Sequence, residues 1–252
     1  MTPSEIIQKD KELLKGLPLR AKAVHLWHYY KWYTLALLMV VLYIISTIIA
    51  YIDTSNCILN GYFLNVTGSP YSLAELSENY LPADSDETVY IDTMLFTSDP
   101  SAENASSIYE NFQNLIAKAH AGDLDFVVVD DEAINQLIYS EFFPDLTTFL
   151  TQEQLSVYAG RLLYMDREFL ENIRNLDAST DLTTPIWYPD PADPESMGDP
   201  IPVLIDIRDS RWMAELYPDD TELHAFGLVT NGQHHDTALD FLDFLLSGAE
   251  AS

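Results

Sequence analysis

Hydrophobic and polar positions divide the chain into one unbroken apolar run and a longer region in which strand-like and helix-like periods take turns. Residues 35–52, LALLMVVLYIISTIIAYI, carry no charge, and Tyr33 and Thr34 extend the stretch to residues 33–52. A helix rises about 1.5 Å per residue, so roughly 20 apolar residues cross a hydrocarbon core about 30 Å thick. The hydroxyls of Ser46 and Thr47 can bond back to the helix's own carbonyls. This run predicts one transmembrane helix.

Beyond it the periods shorten. Residues 61–66 (GYFLNV), 88–96 (TVYIDTMLF) and 124–129 (LDFVVV) read as strands, the last apolar enough to be buried on both faces. Between them, Ser72 and Glu75 have capping-box spacing and open a short helix. Asp99-Pro100 opens a longer one, in which Ile108, Phe112, Leu115 and Ala119 recur at helical spacing up to Gly122, a C′ glycine. Residues 131–139 read as a helix, and Thr151 with Gln154 caps another. Such an alternation predicts an α/β fold, a three-layer α-β-α sandwich around a mainly parallel sheet. Residues 178–202 break the pattern. They hold Pro185, Pro189, Pro191, Pro194, Pro200 and Pro202 among many acidic residues and read as an exposed loop. Strands at 203–207 and 223–230 follow, with a short helix around Trp212 between them. The last helix starts near His234, with Leu239, Leu242 and Leu246 on one face and Asp236, Asp240 and Asp243 on another.

Charge sets the orientation. Residues 1–32 carry six basic and three acidic side chains and the remainder six basic and 37 acidic, so the net charge is +3 before the span and −31 after it, against −28 overall. Basic residues collect on the cytoplasmic side, and Trp27, Tyr29, Tyr30, Trp32 and Tyr33 suit the inner interface. The expected organisation is a cytoplasmic tail over 1–32, a signal-anchor helix over 33–52 and an extracytoplasmic domain over 53–252. Within the tail, Thr2-Pro3-Ser4-Glu5 opens a short helix that stops near Gly16-Leu17-Pro18. A cleaved signal peptide fits poorly, because the basic region is too long and Ile48 spoils a small-x-small site. Cys57 is the only cysteine, so no intrachain disulfide forms and the outer domain needs an ordinary core. A net charge of −31 repels nucleic acid and anionic surfaces, which excludes nucleic acid as a partner.

Two segments resemble bacterial extracellular solute-binding proteins, the receptors of ATP-driven importers, whose fold is that of periplasmic binding proteins. In residues 117–150, a helix ends at Ala121-Gly122-Asp123, a strand over 124–130 ends in acid, and a further helix leads to Asp145-Leu146. In residues 226–246, a strand and polar turn precede a closing helix carrying Ala238, Phe241, Phe244 and Leu245. The resemblance implies one lobe of such a receptor, tethered by a helix in a bacterial cell membrane. Family members have two lobes and about twice this length, and the Pro-rich loop stands where a second lobe is inserted. The Pro-Asp dipeptide frequent after the Gly-Asp turn is replaced here by Leu124-Asp125.

In an open α/β sheet, ligands bind at the carboxyl ends of strands near a topological switch point. That rule selects the ends at Thr67-Gly68, Thr97-Ser98 and Asp130-Asp131. Thr97 and Ser98 offer hydroxyls, and Asp130 and Asp131 offer acceptors, for a polyol, sugar or cation. Equally, Ser98 and Asp99 can cap one helix, and Asp130, Asp131 and Glu132 suit the start of the next. Trp187 and Trp212, the two tryptophans beyond the span, can stack on a sugar ring or pin a loop. His224, His234, His235 and Asp236 lack zinc spacing, and the run from Asp190 to Asp199 lacks the glycine and glutamate of a calcium loop. Asn65-Val66-Thr67 and Asn104-Ala105-Ser106 are formal glycosylation sequons. No nucleophile elbow, phosphate loop, zinc motif or dinucleotide fingerprint occurs, so neither catalysis nor a cofactor is expected. Two functions follow: non-catalytic binding of a small solute, or a lobe without ligand that serves as an interaction or assembly subunit for a membrane-protein partner.

Overall fold

The computed structural model describes residues 18–82, 85–96, 105–175, 187–218 and 223–247. The chain separates into two compact units, Met1–Ser55 and Asn56–Ser252. In the first, Pro18 precedes a continuous helix, α1 (Leu19–Ser55). Its stretch Lys31–Ile48 is long and apolar enough to cross a membrane, and none of that window is buried. Thr47 Oγ1 donates to the Tyr43 carbonyl at 2.8 Å, so a hydroxyl in the apolar run is satisfied within the helix. The short helix expected in the tail lies outside the described residues.

In the second unit the elements are β1 (Cys57–Leu64), α2 (Pro70–Tyr80), β2 (Thr88–Met94), α3 (Ala105–Ala121), β3 (Phe126–Val129), α4 (Asp131–Ile138), α5 (Gln152–Val157), β4 (Leu162–Asp166), α6 (Arg167–Arg174), β5 (Pro200–Asp206), α7 (Arg211–Leu216), β6 (Ala225–Leu228) and α8 (His235–Ser247). Several starts follow directly from local chemistry. Asp130 caps α4 through the Ala133 N–H, and Thr151 forms the expected capping box with Gln154. At the end of α3, Gly122 takes a φ of 76°, the left-handed conformation that the absence of a Cβ permits. The α2 helix begins earlier than Ser72 and Glu75 suggest: Ser69 is its N-cap and Pro70 occupies its first turn.

The six strands form one sheet in the order β2-β1-β3-β6-β5-β4. Along each strand, alternate residues enter different clusters. Leu59, Phe63, Phe126, Val128, Ile205, Phe226 and Leu228 meet α2, α7 and α8. Tyr62, Leu64, Val127, Val129, Leu204 and Ala225 meet α3, α4 and α6. Helices thus cover both faces, and the α/β expectation holds.

Strand direction makes the sheet mixed, with four of its six strands, β1, β2, β3 and β5, running the same way. β1 pairs in parallel with β2 and β3, whereas β3–β6, β6–β5 and β5–β4 are antiparallel. β6 turns back between β3 and β5, so β5 still runs with β1, β2 and β3. β4 had no counterpart in the sequence reading, and the loop expected over 178–202 gives up Pro200 and Pro202 to β5.

Candidate functional site

The chain leaves β1 toward β2 and returns to the other side of β1 as β3, so the topological switch point lies where β1 and β3 end. Asn65 follows β1 with a φ of 55°, a conformation that asparagine tolerates better than most residues. Its N–H donates to the Met94 carbonyl at 2.9 Å, and its side-chain oxygen accepts the Phe96 N–H at 2.7 Å. Its Nδ2 donates to Asp130 Oδ2 at 2.6 Å. The other Asp130 oxygen accepts the Ala133 N–H at 3.1 Å, and the residue is buried. Both carboxylate oxygens are therefore engaged in joining the ends of β1 and β3 and starting α4.

The space behind this pair is filled by the protein itself. Tyr217, just past α7, is 1% exposed and donates its hydroxyl to the Leu64 carbonyl at 2.7 Å. Its ring lies 3.9 Å, centroid to centroid, from that of buried His224. The Gly68 N–H donates to the Leu216 carbonyl at 2.8 Å, and a Cβ at Gly68 would stand 2.3 Å from the Glu215 carbonyl oxygen. Only glycine lets the loop after β1 settle this closely on α7. At the end of β5, Arg208 is bound by Asp206 at 2.7 Å, which holds the guanidinium still more firmly protonated; Asp131 adds to the same field.

Of the six predicted ligand residues, Asp130 and Asp131 lie at this edge, Asp130 as a structural cap. Thr97 and Ser98 lie outside the described residues. Trp212 is corrected: it is 1% exposed in the core, under the Arg211 guanidinium 4.7 Å from its ring, and cannot stack on a sugar. Its helix starts at Ser210, whose hydroxyl donates to the Leu245 carbonyl at 2.7 Å and anchors α7 to α8. Trp187 is 85% exposed, and the neighbouring Tyr188 instead pins the loop by stacking on Tyr139 at 5.2 Å. Tyr139 follows the C-terminal end of α4 and Asp130 its N-terminal end, so the two candidate positions lie about 12 Å of helix apart.

The described part of the Pro-rich loop covers a different border. The Tyr164 N–H of β4 donates to the Pro191 carbonyl at 2.8 Å, and the Arg167 N–H to that of Asp199 at 2.9 Å. Buried Asp166 gathers this region: its carboxylate accepts N–H groups from Glu168, Phe169, Gly198 and Asp199 at 3.0–3.4 Å. Burial pushes its pKa up, but the four donors more than reverse this and leave it below the ordinary value.

The two segments that carry the family resemblance meet at Asp125. This buried carboxylate accepts the N–H groups of Asn60, Gln233 and His234, each at 2.9 Å, and lies 3.1 Å from His234 Nδ1. Gln233 Nε2 also donates to the Gly122 carbonyl at 3.0 Å. What the segments share is a tie between the β3 end of the sheet and the turn into α8. Sequence reading missed Asn65, Asp125 and Asp166; an isolated acid inside an apolar run, or just before a helix, was the available signal.

Two of the concavities formed by described residues lie on the second unit. A cleft of about 320 Å³ contains Arg167 and Arg174, both ion-paired, with Asp145, Asp199 and Glu141. An open groove of about 990 Å³ runs between α2 and the start of β2. The histidines go to separate partners, His234 to Asp125 and His235 to the Val229 carbonyl, while His224 lies against Tyr217. Among the described residues no group of three His, Cys, Asp or Glu side chains is placed to hold a metal. Comparison with known proteins returns no matching family model, no matching curated protein and no matching solved structure.

Proposed function

We propose that the protein is a membrane-anchored, non-catalytic interaction domain, held by α1 with its basic end in the cytoplasm and its acidic unit outside. The observation that carries this reading is the occupied switch point. Tyr217 and the Asn65–Asp130 bond stand where an open α/β sheet receives its ligand. Loss of Trp212 to the core removes one expected stacking platform, and the described loop lies along β4 instead of roofing the carboxyl ends. The charge step from +3 to −31 across the apolar run supports the orientation.

A small-solute receptor for an importer is the competing reading, favoured by the resemblance of residues 117–150 and 226–246 to solute-binding proteins. Thermal unfolding of the full chain in lipid nanodiscs separates the two, using a panel of sugars, amino acids, peptides and calcium. A ligand at about 100 times its dissociation constant adds about 2.7 kcal/mol, or roughly 5–10 °C at this size. The interaction domain predicts no selective shift from sugars, amino acids or calcium. A selective shift of that size from one of these solutes contradicts it.

A further inference from the structure

We infer that the outer edge of β2 and the acidic groove beside it form a docking site for an extended, basic segment of a partner polypeptide; this rests on the interaction-domain reading and names its surface. β2 is the outer strand at one border of the sheet and, among the described residues, pairs only with β1. The Thr88 N–H donates inward to the Asn56 carbonyl, and the Met94 carbonyl accepts inward from Asn65. In a parallel pair a residue turns both backbone groups to the same side, and the side alternates. Val89, Ile91 and Thr93 therefore turn their N–H and C=O groups away from β1. Among the described residues no element pairs with that edge.

Proline and basic side chains, two common protections of an edge strand, are missing. β2 contains no proline, lysine or arginine, and the register irregularity of its pairing falls in β1, between Cys57 and Leu59. One partial guard exists: Asp92 Oδ1 accepts the Thr93 N–H at 2.8 Å. This leaves the Val89 and Ile91 groups as the template for an added strand.

The surroundings select what that strand carries. On one face, Tyr71, Glu75 and Glu78 form an exposed stripe on α2, and Glu87 continues it at the start of β2. Among the described residues no lysine, arginine or histidine lines this groove. Tyr71 is 84% exposed and offers an aromatic face to a lysine stem or guanidinium. On the other face Tyr90, about half exposed, donates to Asp92 Oδ2 at 3.1 Å. Lys118 lies there too, 5.6 Å from the Tyr62 ring centroid, so the acidic preference is stronger on the groove face. Side chains of an added strand alternate between the faces, which places its basic residues toward Glu75, Glu78 and Glu87 and smaller residues toward Lys118. A second copy of this chain would bring the same carboxylates against one another, a repulsive pairing for a unit of net charge −30.

The test uses the full chain in phosphatidylcholine nanodiscs, with empty nanodiscs as baseline. The probe is a fluorescent peptide of about eight residues, a usual strand length, alternating Lys with Thr and Val. It is expected to bind at least tenfold more tightly than its Glu counterpart. Binding falls at least tenfold in the Glu75→Lys/Glu78→Lys/Glu87→Lys variant, whose substitutions are all at exposed positions, and is lost when the peptide backbone is N-methylated. Amide exchange at Val89 and Ile91 slows when the peptide binds. Failure of the Lys peptide to bind, equal binding by the charge-reversed variant, or binding that leaves those two amides unchanged overturns the site. A concentration-dependent dimer that protects them assigns the edge to a second copy and also overturns it. If the peptide fails while no solute shifts the melting curve, only this site is lost; a selective solute shift removes the reading beneath it.

Discussion

The two borders of the sheet are built in opposite ways. At β4 the Pro-rich loop runs along the outside and supplies the Pro191 carbonyl to the Tyr164 N–H, while Asp166 collects four further N–H groups from α6 and the loop. At β2 the outward groups of Val89 and Ile91 meet no described element, and the flanking side chains are Tyr71, Tyr90 and carboxylates. A bare edge invites other strands, which is why folded proteins cover or charge it. Here one edge is covered by a segment rich in proline, which is itself poor at templating further strands. The other is left with charge of one sign. The difference indicates that the sheet is closed where pairing would be indiscriminate and open where charge can choose the partner.

The largest effect is expected from Asp166→Ala. Four backbone donors lose their acceptor, and with partial rehydration the cost is about 3–4 kcal/mol. Thermal unfolding of the full chain should fall by roughly 6–15 °C, and Tyr164 amide exchange should accelerate. Next comes Tyr188→Ala, which removes the stack on Tyr139 and an edge contact with Phe169 at about 1–2 kcal/mol. Trp187→Ala should stay within about 0.5 kcal/mol, because that ring is exposed. Acid should loosen the covered border. The Asp166 pKa is depressed in the folded state, so its contribution is complete above the ordinary value of about 3.9 and is lost as pH falls through the lower folded value. Trp187 fluorescence followed from about pH 5 downward should report this, and Asp166→Asn should abolish the step. The smallest change belongs to the open border: Thr93→Lys should alter stability by less than about 0.5 kcal/mol, since Thr93 is exposed and faces outward.

How much of this was legible depends on whether a feature is local. The apolar run of α1, the buried strand β3, the Thr151–Gln154 capping box and the turn at Gly122 are written in neighbouring residues, and each appears as expected. β4 was not legible, because its outer pairing partner is Pro191, far along the chain in a segment that reads as loop. Strand direction was equally hidden: only assembly puts β6 between β3 and β5. For the site, Asp130 was found and its role was not, since the partner that occupies it, Asn65, lies 65 positions away. Trp212 and Trp187 look alike in sequence, yet α7 turns one inward and the loop leaves the other outside.

Amide hydrogen exchange on the free full-length protein tests the contrast most directly. The Tyr164 amide is expected to exchange slowly, held by the Pro191 carbonyl, whereas the Val89 and Ile91 amides, though in a regular strand, exchange at least about 100-fold faster. Protection of Val89 and Ile91 equal to that of Tyr164 would mean that the β2 edge is already covered, and would contradict the open border on which the proposed partner docks.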